Sequence, residues 1–146
     1  GCDDSIAHRM ALMAMAQYAE ALAGLAPRLR PAANLAAIRA AIAARHVPVW
    51  SPWPMADGLK ALPESWQLTS DSLAAWLAGK LGAARLLMIK QGHCPRTAGE
   101  ASTAGLVDPL FPDYAQASGA EVSWLSAAQT GALRDILAPT RERLFA

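Results

Sequence analysis

The stretch LTSDSLAAWLAGKLGAARLLMIK, Leu68 to Lys90, decides the reading of the fold. It joins three signals. Thr69-Ser70-Asp71-Ser72 is a hydroxyl-rich helix start that carries one carboxylate. Leu73 to Leu81 reads as an amphipathic helix that breaks at Gly82. Leu86 to Ile89 is an apolar run that ends in a single cation, Lys90. A helix leading straight into a buried strand is an α/β unit, and ligands of such sheets sit beyond the carboxyl ends of the strands. Lys90 falls at such an end and Asp71 at a helix start, so this pattern lets the two face one crevice.

The 146 residues are enough for one domain with a core of its own. A hydrophobic content of 53% against 17% charged residues marks an ordered globule rather than a disordered chain. A formal net charge of +1, with no Lys/Arg run, gives no electrostatic case for a nucleic-acid partner. No apolar run approaches the length of a membrane-spanning helix, so no membrane partner is expected. Cys2 and Cys94 are few and far apart. They read as free thiols of a cytoplasmic protein, not as a disulfide framework or a zinc site. The opening Gly1-Cys-Asp-Asp is acidic where a secretory signal is basic, and it carries no initiator Met.

Outward from the central stretch, Asp3-Asp4-Ser5 offers a cap for a long helix over Ile6–Leu25, ended near Gly24 and Pro27. Its apolar residues cover much of the circumference, which predicts burial on several sides, with Met10, Met13 and Met15 as core filling. Asn34–Arg45 reads as a second helix and His46–Trp50 as a short strand. Ser51–Gly58 is a Pro- and Trp-rich loop. Gln91–Ala104 reads as a polar loop, Leu106–Tyr114 as a turn and a short helix, and Glu121–Leu125 as a strand. Ser126 then caps a last helix through Leu137. Right-handed crossovers would make the sheet largely parallel, with helices on both faces.

The Thr-Ser-Asp-Ser start, the Ala/Leu helix, Gly82-Ala83 and the apolar strand to Lys90 together resemble the amino acid kinase superfamily, which includes acetylglutamate, aspartate, carbamate and uridylate kinases. Val47-Pro-Val-Trp50 and Gly105-Leu-Val-Asp-Pro109 fit the same order. Ala7-His-Arg-Met-Ala11 and Gln17-Tyr18 look similar to an aspartokinase-like branch that acts on an aminomethylfuran phosphate in methanofuran biosynthesis. The resemblance implies a three-layer α-β-α domain over 1–146, corresponding to the C-terminal two-thirds of the family fold. It also implies ATP-dependent phosphorylation of a phosphate, carboxylate or hydroxyl acceptor, such as a phosphorylated furan precursor of a C1-carrier cofactor, with Mg²⁺ bridging the nucleotide phosphates. Asp71 matches the carboxylate that orients phosphate-binding lysines. Lys90, Ser70 and Gln91 would lie on the nucleotide side, and His8 and Trp50 on the acceptor side.

The chain also departs from the family. It has neither the first strand with its Gly-Gly-Ser-like loop and lysine nor the second Gly-rich loop, and Gln91-Gly-His-Cys-Pro-Arg96 replaces a Val-Asp-Gly-Val-like turn. Two expectations follow. One is a kinase whose N-terminal segment is missing from this sequence, the chain forming a homo-oligomer or associating with that segment. The other is a non-catalytic nucleotide-binding or assembly subunit that keeps the fold without the phosphate loops.

Each candidate residue has a plain alternative. Asp71 or Ser70 can be a helix cap alone, and Lys90 a solvated strand-end lysine. Trp50, Trp53 and Trp66 can wall a flat ring or anchor the core. His8, His46 and His93 lack metal-ligand spacing, so no metal site is expected. No Gly-x-Ser-x-Gly elbow, Walker loop or Gly-x-Gly-x-x-Gly motif is present.

Overall fold

The computed structural model describes residues 3–60 and 62–133. Helix α1, Asp4–Ala23, starts at Asp3, whose carboxylate accepts the Ser5 N–H at 2.9 Å. Strand β1 (Leu29–Ala32), helix α2 (Leu35–Ala43) and strand β2 (Val47–Trp50) form a parallel crossover unit, with Leu29 opposite Val47 and Ala32 opposite Trp50. The Asn34 side chain caps α2 by accepting the Ala37 N–H. A short helix α3, Trp53–Ala56, follows.

Helix α4, Ser70–Leu81, ends at Gly82, whose φ of 64° is the left-handed conformation that closes a helix with least strain in glycine. Strand β3, Arg85–Lys90, follows at once. Helices α5 (Ala98–Thr103) and α6 (Phe111–Ser118) carry the chain across to strand β4 (Glu121–Ser126). β4 lies parallel to β3, with Lys90 opposite Ser126. A 3₁₀ turn, Ala127–Ala132, comes last. The helix expected through Leu137 therefore begins as 3₁₀ geometry with a non-helical Gln129, and its later part lies outside the described residues.

The fold is mixed α/β with parallel strands, but the strands do not form the one sheet expected from the sequence. They form two separate two-stranded parallel sheets, β1–β2 and β3–β4. In so small a pair every strand is an edge, which explains how Pro31 and Pro48 sit within β1 and β2 without breaking a central ladder.

Two cores result, and α4 serves both. Ala75 joins Met88, Ala101, Val107, Phe111 and Ala115. Leu73 joins Leu12, Ala56, Leu62 and Leu68. Gly79 lets α4 and α6 approach closely, since a Cβ there would lie 3.1 Å from the Ser118 Cα.

Burial of α1 on several sides is not observed. His8, Leu12 and Ala19 are its buried residues, on one stripe, whereas Ile6, Met10 and Tyr18 are 51%, 57% and 66% exposed. The elements packed most closely on α1, namely α3, β1 and β2, leave its outer face uncovered among the described residues. Met10 and Met13 are therefore surface residues, and only Met15 packs against the core. Among the described residues no helix is long and apolar enough to cross a membrane.

Phe111 is fully buried and meets Trp124 edge-on, with ring centroids 5.8 Å apart. Phe111→Ala is expected to lower the unfolding free energy by about 3–5 kcal/mol, the usual cost of such a cavity, as read from urea denaturation.

Candidate functional site

Helix α4 begins with hydroxyls, but none of them caps it. Thr69 occupies the cap position without a capping bond from its own side chain. Asp108 supplies the acceptor from 39 residues away. Its Oδ2 accepts the Thr69 N–H at 2.9 Å, the Thr69 hydroxyl at 2.8 Å and the Ser72 N–H at 3.0 Å. Its Oδ1 accepts the Ser72 hydroxyl. The carboxylate thus satisfies two of the otherwise unpaired N–H groups of the first turn and places a negative charge at the positive end of the helix dipole. Asp108 is 6% exposed, so burial alone would raise its pKa. The four hydrogen bonds from Ser72 and Thr69 outweigh that penalty and hold the group below the ordinary Asp value of 3.8. Tyr114 is shifted upward by burial and by the nearby Asp108 charge.

With the cap supplied from outside, Asp71 is free to turn to other work. Its Oδ1 lies 2.7 Å from Lys90 Nζ, and the two side chains are 15% and 21% exposed. Asp71 and Lys90, expected from the sequence to face one crevice, instead meet in direct contact between the first turn of α4 and the carboxyl end of β3. This overturns both plain alternatives: Asp71 is not the cap, and Lys90 is not a solvated lysine. An ammonium carries three donors, so one bond to Asp71 fixes its position and leaves two for another acceptor.

Two clefts meet at Ser70, which is itself exposed. The first, about 290 Å³, runs between α1 and the approach to α4 and includes His8, Trp66, Thr69 and Ser70 in its walls. The second, about 200 Å³, lies between α1 and β2 and includes Tyr18, Trp50, Pro52 and Ser70. Met15 and Leu73 line both. His8 and Trp50 are thus brought to the start of α4, one in each cleft. Each also carries a buried ring nitrogen, His8 Nε2 and Trp50 Nε1, with no hydrogen-bond partner. Asp71, Lys90 and Gln91 line neither cleft. Gln91 is exposed beside Lys90, next to Gly92 at a φ of 80°.

An aromatic wall built by Trp50, Trp53 and Trp66 together does not form. Trp50 stacks on Trp76 at 6.1 Å, and Trp76 in turn receives the Lys80 ammonium 5.6 Å from its ring centre. Trp50 and Trp53 pack against the core, whereas Trp66, 64% exposed, stands at the first cleft. No group of three potential metal ligands occurs among the described residues. Cys94 is a free thiol.

Sequence reasoning missed Asp108. Its sole local signal, Asp before Pro109, reads as a turn, and nothing local links it to Thr69 and Ser72. Comparison with protein-family models, curated proteins and solved structures gives no match.

Asp108→Asn should destabilise the fold by about 1.5–3 kcal/mol at neutral pH, because an amide cannot accept all four bonds. The folded-state pKa is depressed, so between it and the unfolded value the unfolded chain binds more protons. The carboxylate's contribution is therefore present above the ordinary Asp value and lost as pH falls through the folded pKa. Denaturation curves below about pH 4 should show a steeper acid loss for the parent than for Asp108→Asn.

Proposed function

We propose that this chain carries the catalytic face of an ATP-dependent small-molecule phosphotransferase. The observation that carries this proposal is the 2.7 Å contact between Asp71 and Lys90, at the junction of a helix start and the carboxyl end of a parallel strand. Phosphoryl transfer asks a protein mainly for positioning and for fixed positive charge, and a lysine held by a carboxylate supplies both.

ATP with Mg²⁺ would supply the transferable phosphoryl group. Lys90 fits a nucleotide phosphate, since its ammonium is oriented and incompletely used. Gln91 and Gly92 lie beside it, and the site of a Cβ at Gly92 is open, so backbone can approach a ligand there. Mg²⁺ would be carried chiefly by phosphate and water oxygens, as is usual for this ion with a nucleotide. Asp71 holds Lys90 against the pull of the anion and keeps its position through the reaction. Ser70, exposed, next to Asp71 in the chain and lining both clefts, would then face an acceptor bound in either one. An acceptor bearing a phosphate, carboxylate or hydroxyl oxygen is the class proposed.

A second function is favoured by a separate observation, the uncovered apolar face of α1 with Ile6, Met10 and Met13. That face suits association with a second copy or with a further segment, as an assembly subunit would need. Association without nucleotide binding would favour this alternative.

Asp71→Asn is expected to cut turnover by about a hundredfold or more while changing stability by less than about 1 kcal/mol, because the cap is held by Asp108 and not by Asp71. Turnover within about threefold of the parent would remove Asp71 from the reaction. Lys90→Met should weaken ATP binding by roughly 1.5–3 kcal/mol, the worth of a charged hydrogen bond. An unchanged dissociation constant by calorimetry would reject the phosphate contact.

A further inference from the structure

The first cleft holds a problem that the ion pair does not solve. His8 is 9% exposed, lines the cleft, and its Nε2 is buried without a hydrogen-bond partner. Buried polar atoms are rarely left unpaired, and each exception asks for an explanation. The cleft around it is mostly apolar, walled by Ala11, Ala14, Met15, Leu68 and Leu73. The positive end of α4 is already met by Asp108, and Asp4 brings a carboxylate to the cleft lining, so an anionic group is disfavoured there. A charged group among those apolar walls would be costly.

We propose that the cleft between α1 and the start of α4 is a subsite for a small uncharged ring compound bearing a hydroxyl group, which His8 recognises. The apolar walls take the ring, and Trp66 at the cleft offers it a face. His8 Nε2 takes the oxygen. In this structure that nitrogen is closed to solvent, so the bond forms as the imidazole turns about its outer torsion, which is broad for His. Thr69 and Ser70 bring two more hydroxyls to the same cleft. The subsite rests on the phosphotransferase proposal for its role, since a ligand held there reaches Ser70 as the acceptor. Its binding chemistry stands without that proposal.

The test uses the full chain and a matched pair of probes, benzyl alcohol and toluene, at equal millimolar concentrations. Nuclear magnetic resonance follows the His8 imidazole and the amides of Thr69 and Ser70. Benzyl alcohol should shift these signals saturably and bind at least about tenfold more tightly than toluene, the worth of one good hydrogen bond. His8→Leu should abolish that preference, and His8→Gln should keep part of it. No saturable shift at these nuclei, equal binding of the two probes, or an unchanged preference in His8→Leu would overturn the subsite. Should His8→Leu not fold, the parent titration together with His8→Gln decides. ATP binding with Mg²⁺, measured on the same samples, separates the two proposals. ATP binding without probe binding at His8 sinks the subsite alone. Probe binding at His8 without ATP binding sinks the phosphotransferase alone.

Discussion

One buried carboxylate sets the geometry of this protein. Asp108 holds the first turn of α4 by both its oxygens, through Thr69 on one side and Ser72 on the other. Ser70 and Asp71 lie between those two anchors, so their positions are fixed without either side chain being used to fix them. The bonds are charge-assisted and shielded from water, where such bonds are strongest. Because Asp108 supplies the cap, the Asp71 carboxylate is not drawn into capping its own helix and meets Lys90 instead.

The same anchor joins the two halves of the molecule. Asp108 precedes α6, whose Phe111 and Ala115 fill one core, and it grips α4, whose Leu73 belongs to the other. Tyr114 packs against both. The carboxyl end of β3 is thereby held against the start of α4, and the ion pair, Ser70 and the two clefts converge on a single turn of helix. Chemistry that depends on a positioned lysine tolerates little slack, because small displacements of a fixed charge weaken its effect steeply. A rigid first turn beside open clefts is what such chemistry needs.

Elements dominated by local signals were legible in the sequence. The helix over Leu73–Leu81 and its glycine stop, the strand to Lys90, and the meeting of Asp71 with Lys90 all follow from cap, period and chain order. Strand β1 was not legible, because Leu29-Arg-Pro-Ala32 is short and carries a proline that argues against a strand. Helix α5 lies in a stretch whose polar composition reads as loop, although Thr97-x-x-Glu100 is a cap signature and the Thr97 hydroxyl accepts the Glu100 N–H at 3.1 Å. The burial of α1 falls short of what its sequence predicts, because an apolar circumference shows which faces can be covered and not which are. Asp108 lay beyond reach, since its partners are more than thirty residues away and come together only through packing. Of the site residues, His8 and Trp50 line the two clefts that Ser70 shares, although the resemblance sets Ser70 on the nucleotide side. Gln91 stays at the surface beside Lys90.

The most direct measurement is the titration of the Asp108 carboxyl itself, followed by its side-chain ¹³C signal together with the amide signals of Thr69 and Ser72. A carboxylate that anchors the helix start must titrate below the ordinary value of 3.8, with both amides moving at the same midpoint. A midpoint at or above that value, or amides that ignore it, would contradict the anchor on which the placement of Asp71 and Lys90 depends.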